Sequence, residues 1–375
     1  MDSLKICIIK PNKSSYSETF IQTQIELLPG EKQVLYGGDF PVYQPNGKFL
    51  IKSVTGILSY LIQKRLFKKR DIAVRNSALV NYLKAQKINV VLAQYGTVGA
   101  TITKACAMAE VPLVIHFHGV DAHRQELLNT FKDLYKKAFA YASALIVVSN
   151  DMRESLLQLG ADANKIHLIP YGVRTDLFKP VRLSAEPHFL SIGRLVDKKA
   201  PIITLNAFAQ VAQQFPTAHL SMVGDGPLAQ EAKARAKALN IVQQVTFTGV
   251  LDRKAIIQLM SRRTYAYVQH SVTAKDGDME GTPNTVLEAS AAGLPIVSTR
   301  HAGIKEAVIE GVTGFLVDEY DQDAMAQHML TLAASRPLAE QMGQAARQHM
   351  VKHYDIQQQI AKLNQILLGA AKIRA

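Results

Sequence analysis

The chain has little that could tie it together covalently or hold it in a membrane. Its 375 residues include two cysteines, Cys7 and Cys106, and no tryptophan. Two thiols exclude a disulfide framework and a four-cysteine zinc set, and a reducing compartment is expected. No window approaches the roughly 20 consecutive apolar residues of a membrane span. The opening MDSLKICIIKP lacks the apolar core and small-residue cleavage site of a signal peptide, which makes a cytoplasmic protein the expectation. G-x-S-x-G, the P-loop, C-x-x-C and H-E-x-x-H are also missing, so triad hydrolases, P-loop enzymes, thiol-redox proteins and zinc proteases lose their usual support. The loop after the first apolar run, Lys10-Pro-Asn-Lys-Ser-Ser-Tyr-Ser-Glu-Thr-Phe20, is not G-x-G-x-x-G, so a nicotinamide site is not supported. No period of roughly 20–50 residues recurs, which argues against solenoids and propellers.

What is present is an ordinary globular composition, 48% hydrophobic and 20% charged, with the length of two domains. Net charge is +12, concentrated in the first half: residues 1–180 hold 23 lysines and arginines against 14 acidic residues. In the segment 56–75, Lys64, Arg65, Lys68, Lys69, Arg70 and Arg75 interrupt Ile57, Leu58, Leu61, Ile62, Leu66 and Phe67 at helical spacing. That pattern suits a core-facing helix with a solvated basic face, or attachment to an anionic bilayer surface. Nucleic-acid contact is disfavoured, because no recognised module or aromatic-and-basic stacking pattern accompanies the charge.

Short β-type runs alternate with helical patterns throughout, the signature of βαβ units and parallel sheets. Strands are expected at Lys5–Ile9, Lys32–Tyr36, Val90–Ala93, Leu113–His116, Ala144–Val148 and Lys165–Ile169. A second set is expected at His188–Ser191, His219–Val223, Gln244–Thr248, Tyr265–Val268, Pro295–Ser298 and Gly314–Val317. The pattern restarts after a turn-rich stretch ending at Pro180. The economical architecture is an α/β chain with two doubly wound Rossmann-like domains, 1–180 and 181–353, facing a cleft. The terminal helical pattern, 354–375, packs on the second domain or crosses back to the first.

Four segments could carry chemistry. After the seventh run comes Gly193-Arg-Leu-Val-Asp-Lys-Lys-Ala-Pro201, in which Arg194, Lys198 and Lys199 precede a helix that Pro201 can open. Cations beside a helix N-terminus suit a diphosphate, and the bland alternative is a solvated loop. In Met279-Glu-Gly-Thr-Pro-Asn-Thr-Val-Leu-Glu288, Thr282 is a reasonable N-cap and Pro283 a first helical residue. That leaves the N–H groups of Asn284 and Thr285 pointing outward, with Glu280 and Glu288 at different depths as acceptors for vicinal hydroxyls. Surface positions or helix-dipole complementation would also account for the two glutamates. Asp276 and Asp278 lie in a polar loop, which favours a loop role over a metal role. In His116-Phe-His-Gly-Val-Asp-Ala-His123, the spacing fits no metalloprotease pattern. His118, beside a glycine turn, is the candidate hydrogen-bond donor or charge stabiliser, with a satisfied structural histidine as the alternative. In the first loop, Ser15 and Glu18 match a capping box, and Gly224-Asp-Gly-Pro227 is either a ligand-approaching turn or only a turn.

Together these segments resemble glycosyltransferase family 4 (group 1), retaining nucleotide-sugar transferases of GT-B fold. The resemblance rests on GRLVDKK at 193–199, VGDGPL at 223–228, Glu280 and Glu288 within EGTPNTVLEASAAGLPIVST, and AGIKEAVIEGVTGFLV at 302–317. SETFI at 17–21 and HFHGVD at 116–121 are similar to members acting in exopolysaccharide and colanic-acid-type assembly. The resemblance implies transfer of a hexose from a UDP- or GDP-sugar to a glycan or lipid-linked saccharide, without a cofactor or catalytic metal. It implies Arg194 and Lys199 on the donor diphosphate, Glu288 on the ribose and Glu280 on the transferred sugar. Backbone at Gly193, Gly224, Gly281, Thr282, Asn284 and Thr285 would lie near the donor, with Leu251 near the base and His118 reaching the sugar from the first domain. Ser17, Glu18 and Thr19 would form the acceptor-side loop. The basic 56–75 helix would then dock the acceptor domain on anionic lipid at the inner face of the membrane. A nucleotide-sugar 2-epimerase and a non-catalytic nucleotide-sugar binder are the alternatives on the same scaffold. The sequence departs from the family pattern at Ala200, at Thr282-Pro-Asn284, and in the serine-rich first loop.

Overall fold

The computed structural model describes residues 3–13, 19–67 and 71–372. The chain divides into two compact units, Met1–Pro170 with Gln359–Ala375, and Tyr171–Gln358. The first holds strands β1 (Lys5–Lys10), β2 (Glu31–Tyr36), β3 (Val90–Gln94), β4 (Leu113–His116), β5 (Ala144–Val147) and β6 (Ile166–Leu168). They form one sheet in the order β2-β1-β3-β4-β5-β6, parallel throughout. Ile6, Cys7, Ile8 and Ile9 are all fully buried, so β1 has no wet face, which is why it reads as a continuous apolar run. The strand order reverses between β1 and β3, and helix-lined sheets of this kind bind ligands at the carboxyl ends flanking such a reversal.

The second unit holds β7 (His188–Ile192), β8 (His219–Val223), β9 (Val245–Gly249), β10 (Ala266–Gln269), β11 (Ile296–Thr299) and β12 (Gly314–Val317). Its order is β12-β11-β10-β7-β8-β9, again parallel, with the reversal between β7 and β10. Each of these twelve strands lies where the apolar alternation places it, with no end displaced by more than one residue.

The sequence divides the chain after Pro180, whereas the stretch from Tyr171 to Pro180 belongs to the second unit. Polar bonds hold it there: Val173 N–H donates to Tyr354 O (2.8 Å), Ile356 N–H to Val173 O (3.0 Å) and Val181 N–H to Ala292 O (3.0 Å). The Arg347 guanidinium donates to the carbonyls of Thr175 and Phe178. The last helix, Ile356–Lys372, belongs to the first unit from Gln359 onward.

The basic segment forms the helix Val54–Arg65, capped by Ser53 Oγ, which accepts from Gly56 N–H at 3.0 Å. Its apolar residues do not share one face. Ile57, Tyr60 and Leu61 pack with Val42, Ile51 and Ile72, while Val54, Leu58 and Ile62 face solvent, continued by exposed Leu66 and Phe67. Arg75 is no part of a basic surface, because it is buried with its guanidinium 4.2 Å from the centre of the Phe40 ring. Lys68, Lys69 and Arg70 lie outside the described residues.

Candidate active site

At the reversal point of the second sheet, β7 runs into Gly193, whose N–H donates to Val223 O (2.9 Å) at the end of β8. Gly224 follows β8 at φ +131°, and a Cβ there would lie 2.0 Å from Gly193 O. The two loops therefore touch backbone to backbone, and the glycine serves that contact. A further bond, from Leu195 N–H to Asp225 O (3.0 Å), locks the 193–196 loop in place. The loop leaves Arg194 exposed, and the guanidinium has no ion-pair partner among the described residues. Ala200 then adopts φ +37° to turn the chain into the helix Pro201–Gln214, with Pro201 in its first turn as the sequence predicts. That left-handed geometry is one a glycine adopts without the steric cost that a Cβ brings.

The two lysines of this loop do not stand open for an anion. Lys199 Nζ is 3.3 Å from Glu280 Oε2, and Lys198 Nζ is 3.0 Å from Asp278 Oδ2 and 3.8 Å from Glu280 Oε1. Burial lowers the Lys199 pKa, with Glu280 opposing. Burial pushes the Glu280 carboxyl up, but the two lysines outweigh it and hold the group below its ordinary value. Asp278 is thus a counter-charge for Lys198. Among the described residues, no three His, Cys, Asp or Glu side chains are grouped to hold a metal.

The helix that follows is Asn284–Ala291, and Pro283, at ψ 120°, is its N-cap, with no side-chain cap bond. The sequence places the cap at Thr282. The extended ψ of Pro283 moves it one residue on, and Thr282 is instead buried beside Gly303. The N–H groups of Asn284 and Thr285, in the first turn, have no acceptor within the helix. Gly281 O accepts from Gly303 N–H at 2.8 Å. Thr285 Oγ1 is 2.8 Å from the hydroxyl of buried Tyr267, which also lies 2.8 Å from Gln269 Oε1. Glu288, one turn deeper, has its pKa raised to about 7 by burial, against a lowering by Arg253. Leu251 is half-buried in the turn between β9 and the helix Arg253–Arg263.

In the first unit, His118 follows β4 inside a buried polar network. Its Nε2 lies 2.8 Å from Gln94 Oε1, Gln94 Nε2 donates to Gln24 Oε1 (2.9 Å), and Gln24 Nε2 lies 3.3 Å from His116 Nδ1. Burial, with His116 alongside, holds the His118 pKa far below its ordinary value, so the ring is neutral. Phe20, Tyr95 and His116 surround it, with ring centroids 4.7, 4.8 and 4.4 Å away. Tyr95, at the end of β3, has φ +80°, a costly conformation for a residue with a side chain. Asp121 fixes the loop: Oδ1 accepts from the N–H of His118 (2.9 Å) and Gly119 (3.0 Å), and Oδ2 from Gly96 (2.7 Å). Thr19 starts the helix Thr19–Leu27, while Ser14, Ser15, Ser17 and Glu18 lie outside the described residues.

Sequence reading missed His301 and Glu319. His301 Nε2 meets Glu280 N–H (3.1 Å) and its Nδ1 lies 2.6 Å from Glu319 Oε1. The available signal was a histidine two residues beyond the β11 run, in the loop where polar groups of such sheets face ligands.

Comparison with known proteins follows the same division. Residues 43–177 match the family model described as Glycosyltransferase Family 4, and residues 173–349 match that of the glycosyl transferases group 1. The chain is 29% identical over 248 residues to a putative colanic acid biosynthesis glycosyltransferase, WcaL, of Escherichia coli K12, covering 65% of this chain and 61% of that one. It is 30% identical over 251 residues to the amylovoran biosynthesis glycosyltransferase AmsK of Erwinia amylovora, with the same coverage of 65% and 61%. It therefore spans about three fifths of the length of these curated relatives. Among solved structures, Anabaena Alr3699/HepE in complex with UDP superimposes with a TM-score of 0.78 at 18% identity, over 98% of this chain and 100% of that one. With two parallel six-stranded sheets and both family models matched in order along the sequence, the chain belongs to the group 1 glycosyltransferases and has their GT-B fold.

Proposed function

We propose that the protein transfers a hexose from a UDP- or GDP-sugar to a hydroxyl of a glycan or lipid-linked saccharide in exopolysaccharide assembly, retaining the anomeric configuration. The observation that carries this reading is the uncommitted Arg194 guanidinium at the end of β7, at the strand-order reversal of the second sheet. The exopolysaccharide relatives and the UDP complex of the Anabaena neighbour support the pathway class and the donor class.

In this reading Arg194 forks onto the donor diphosphate, and the outward N–H groups of Asn284 and Thr285 add the positive end of a helix. Glu288 accepts from the ribose hydroxyls and Glu280 from those of the sugar. As the bond from the anomeric carbon to the phosphate oxygen breaks, negative charge grows on the leaving diphosphate, where these fixed donors stabilise it. The acceptor hydroxyl attacks on the same face, and its proton passes to the departing phosphate oxygen. This reading assigns no metal to the step. The first unit takes the acceptor. Its exposed Val54, Leu58, Ile62, Leu66 and Phe67, beside Lys64 and Arg65, bring it to an anionic lipid surface. No helix among the described residues is long and apolar enough to cross a membrane.

The test is a thermal-shift panel of UDP, GDP, ADP and their common sugar conjugates on the wild type, Arg194→Ala and Glu288→Ala. Stabilisation by one nucleotide family, lost in both variants, is expected. A shift that both variants keep would remove this donor site. NMR of the product then reads the anomeric configuration, and an inverted linkage would remove the retaining mechanism. Nucleotide release with no glycosylated product would turn the reading toward a 2-epimerase.

A further inference from the structure

His301 stands two residues beyond β11 with its side chain wholly buried. Its Nε2 lies 3.1 Å from the main-chain nitrogen of Glu280. A main-chain N–H can only donate, so Nε2 must offer a lone pair. The proton of the neutral ring is then on Nδ1, which donates to Glu319 Oε1 at 2.6 Å. A doubly protonated ring would set N–H against N–H at Glu280, which identifies the neutral tautomer as the one this geometry needs.

Glu319 lies two residues beyond β12 and does more than orient the ring. Its Oε2 accepts from Thr273 N–H (2.8 Å), and its Oε1 is 3.2 Å from Thr273 Oγ1. One carboxylate thereby joins the loops after β10 and β11. The 301–303 loop also grips the Glu280 segment a second time, through Gly303 N–H to Gly281 O at 2.8 Å. Contact there is so close that a Cβ on Gly303 would lie 2.1 Å from Thr282 Oγ1. At the other end of Glu280, Lys198 and Lys199 draw on the carboxylate. Main chain and side chain of Glu280 are thus held from opposite sides, and the lysines alone would leave the backbone of a loop free to shift.

We propose that His301, oriented by Glu319, is a positioning residue for sugar transfer: it fixes the main chain of Glu280, so that the carboxylate meets the hydroxyls of the transferred sugar in one place. The inference rests on the reading of Glu280 as the sugar-binding carboxylate. It concerns the reacting sugar and not nucleotide affinity, because the two hydrogen bonds of the His301 ring go to Glu280 N–H and Glu319 Oε1 and not to Arg194 or the first turn of the helix Asn284–Ala291. Placement errors of about an ångström in a group that must meet the transition state cost rate more than binding.

The experiment compares His301→Ala, His301→Gln, Glu319→Ala and Glu280→Gln in the full chain. It measures release of nucleoside diphosphate from UDP-glucose and GDP-mannose, binding of free UDP and GDP by calorimetry, and Tm. His301→Ala is expected to lower kcat about ten-fold, the effect of one lost site hydrogen bond, without weakening free nucleotide binding. His301→Gln, whose Oε1 can take the place of Nε2 and accept from Glu280 N–H, is expected to recover most of the rate. Nitrogen-15 NMR should show the Nδ1–H tautomer in the wild type and its loss in Glu319→Ala. Unchanged turnover in His301→Ala would overturn the proposal, as would a His301→Gln variant as slow as His301→Ala with the same fall in Tm, since packing alone would then explain both. If Glu280→Gln keeps full turnover, the sugar-binding reading itself fails. If Glu280→Gln loses turnover while His301→Ala does not, the positioning role alone fails.

Discussion

Lys199 Nζ lies 3.3 Å from Glu280 Oε2, so the cation expected on the donor diphosphate and the carboxylate expected on the sugar neutralise one another. Both side chains are largely buried, with 15% and 11% of their surface exposed. On the proposed reading, whether Lys199 adds its charge to that of Arg194 at the diphosphate is set by what Glu280 does with Lys199.

This pairing gives a prediction with opposite signs in two assays. Glu280→Gln frees Lys199 for an anion, so free UDP or GDP should bind several-fold more tightly by calorimetry while transfer falls. The unpaired buried lysine should also cost about 3 kcal/mol of stability in denaturant unfolding. Weaker nucleotide binding together with unchanged stability would show that the pair does not govern the site.

Gly224→Ala should unseat the donor loop. The added methyl carbon would lie 2.0 Å from Gly193 O, and the residue would be held at φ +131°. A Tm drop of several degrees is expected, with loss of the nucleotide-induced thermal shift. A variant with normal Tm and nucleotide response would mean that the two loops do not meet this closely.

Glu288 predicts a pH dependence of stability. Burial raises its folded pKa from 4.5 to about 7, so between these values the folded state holds a proton that the unfolded state has released. Stability from this group is then complete below pH 4.5 and falls as pH rises through about 7. Glu288→Gln cannot ionise, so its stability relative to wild type should grow from pH 4.5 to 7 and level off above. A constant difference across that range in urea titrations would contradict the buried carboxyl.

Asp121 accepts three main-chain N–H bonds with two oxygens, which an amide cannot reproduce. In Asp121→Asn, either the Gly96 N–H or the pair from His118 and Gly119 would face an NH2 group. A loss of about 1–3 kcal/mol is expected by chemical denaturation. A stability equal to wild type would show that the loop can find other acceptors.

The exposed apolar ridge of the Val54–Arg65 helix should govern lipid binding. Val54, Leu58 and Leu66 are 81%, 58% and 74% exposed, far from the expectation for a helix that only packs inward. Vesicles containing phosphatidylglycerol should pellet the protein at low salt and release it as salt rises, and Leu58→Ser with Leu66→Ser should abolish pelleting. Pelleting that ignores both salt and these substitutions would sink the lipid reading.

The sequence by itself determined the parts governed by neighbours along the chain. Strand runs such as Val90–Ala93 and Ala144–Val147 are apolar on both faces, as a sheet buried on both faces favours. Pro201 opening a helix and Arg194 at a strand end are equally local, since both follow from where a run stops. Tertiary structure decided which polar groups meet. Lys199 and Glu280, or Glu319 and Thr273, are far apart in the chain and come together because parallel strands bring all their carboxyl ends to one edge of the sheet. It also decided which of two faces is wet on the Val54–Arg65 helix. Ile57 and Leu58 are equally apolar, and the partners that bury one of them, such as Val42 and Ile72, arrive from other segments. Periodicity reports that a residue can be buried, and only the packing neighbours supply the surface that buries it.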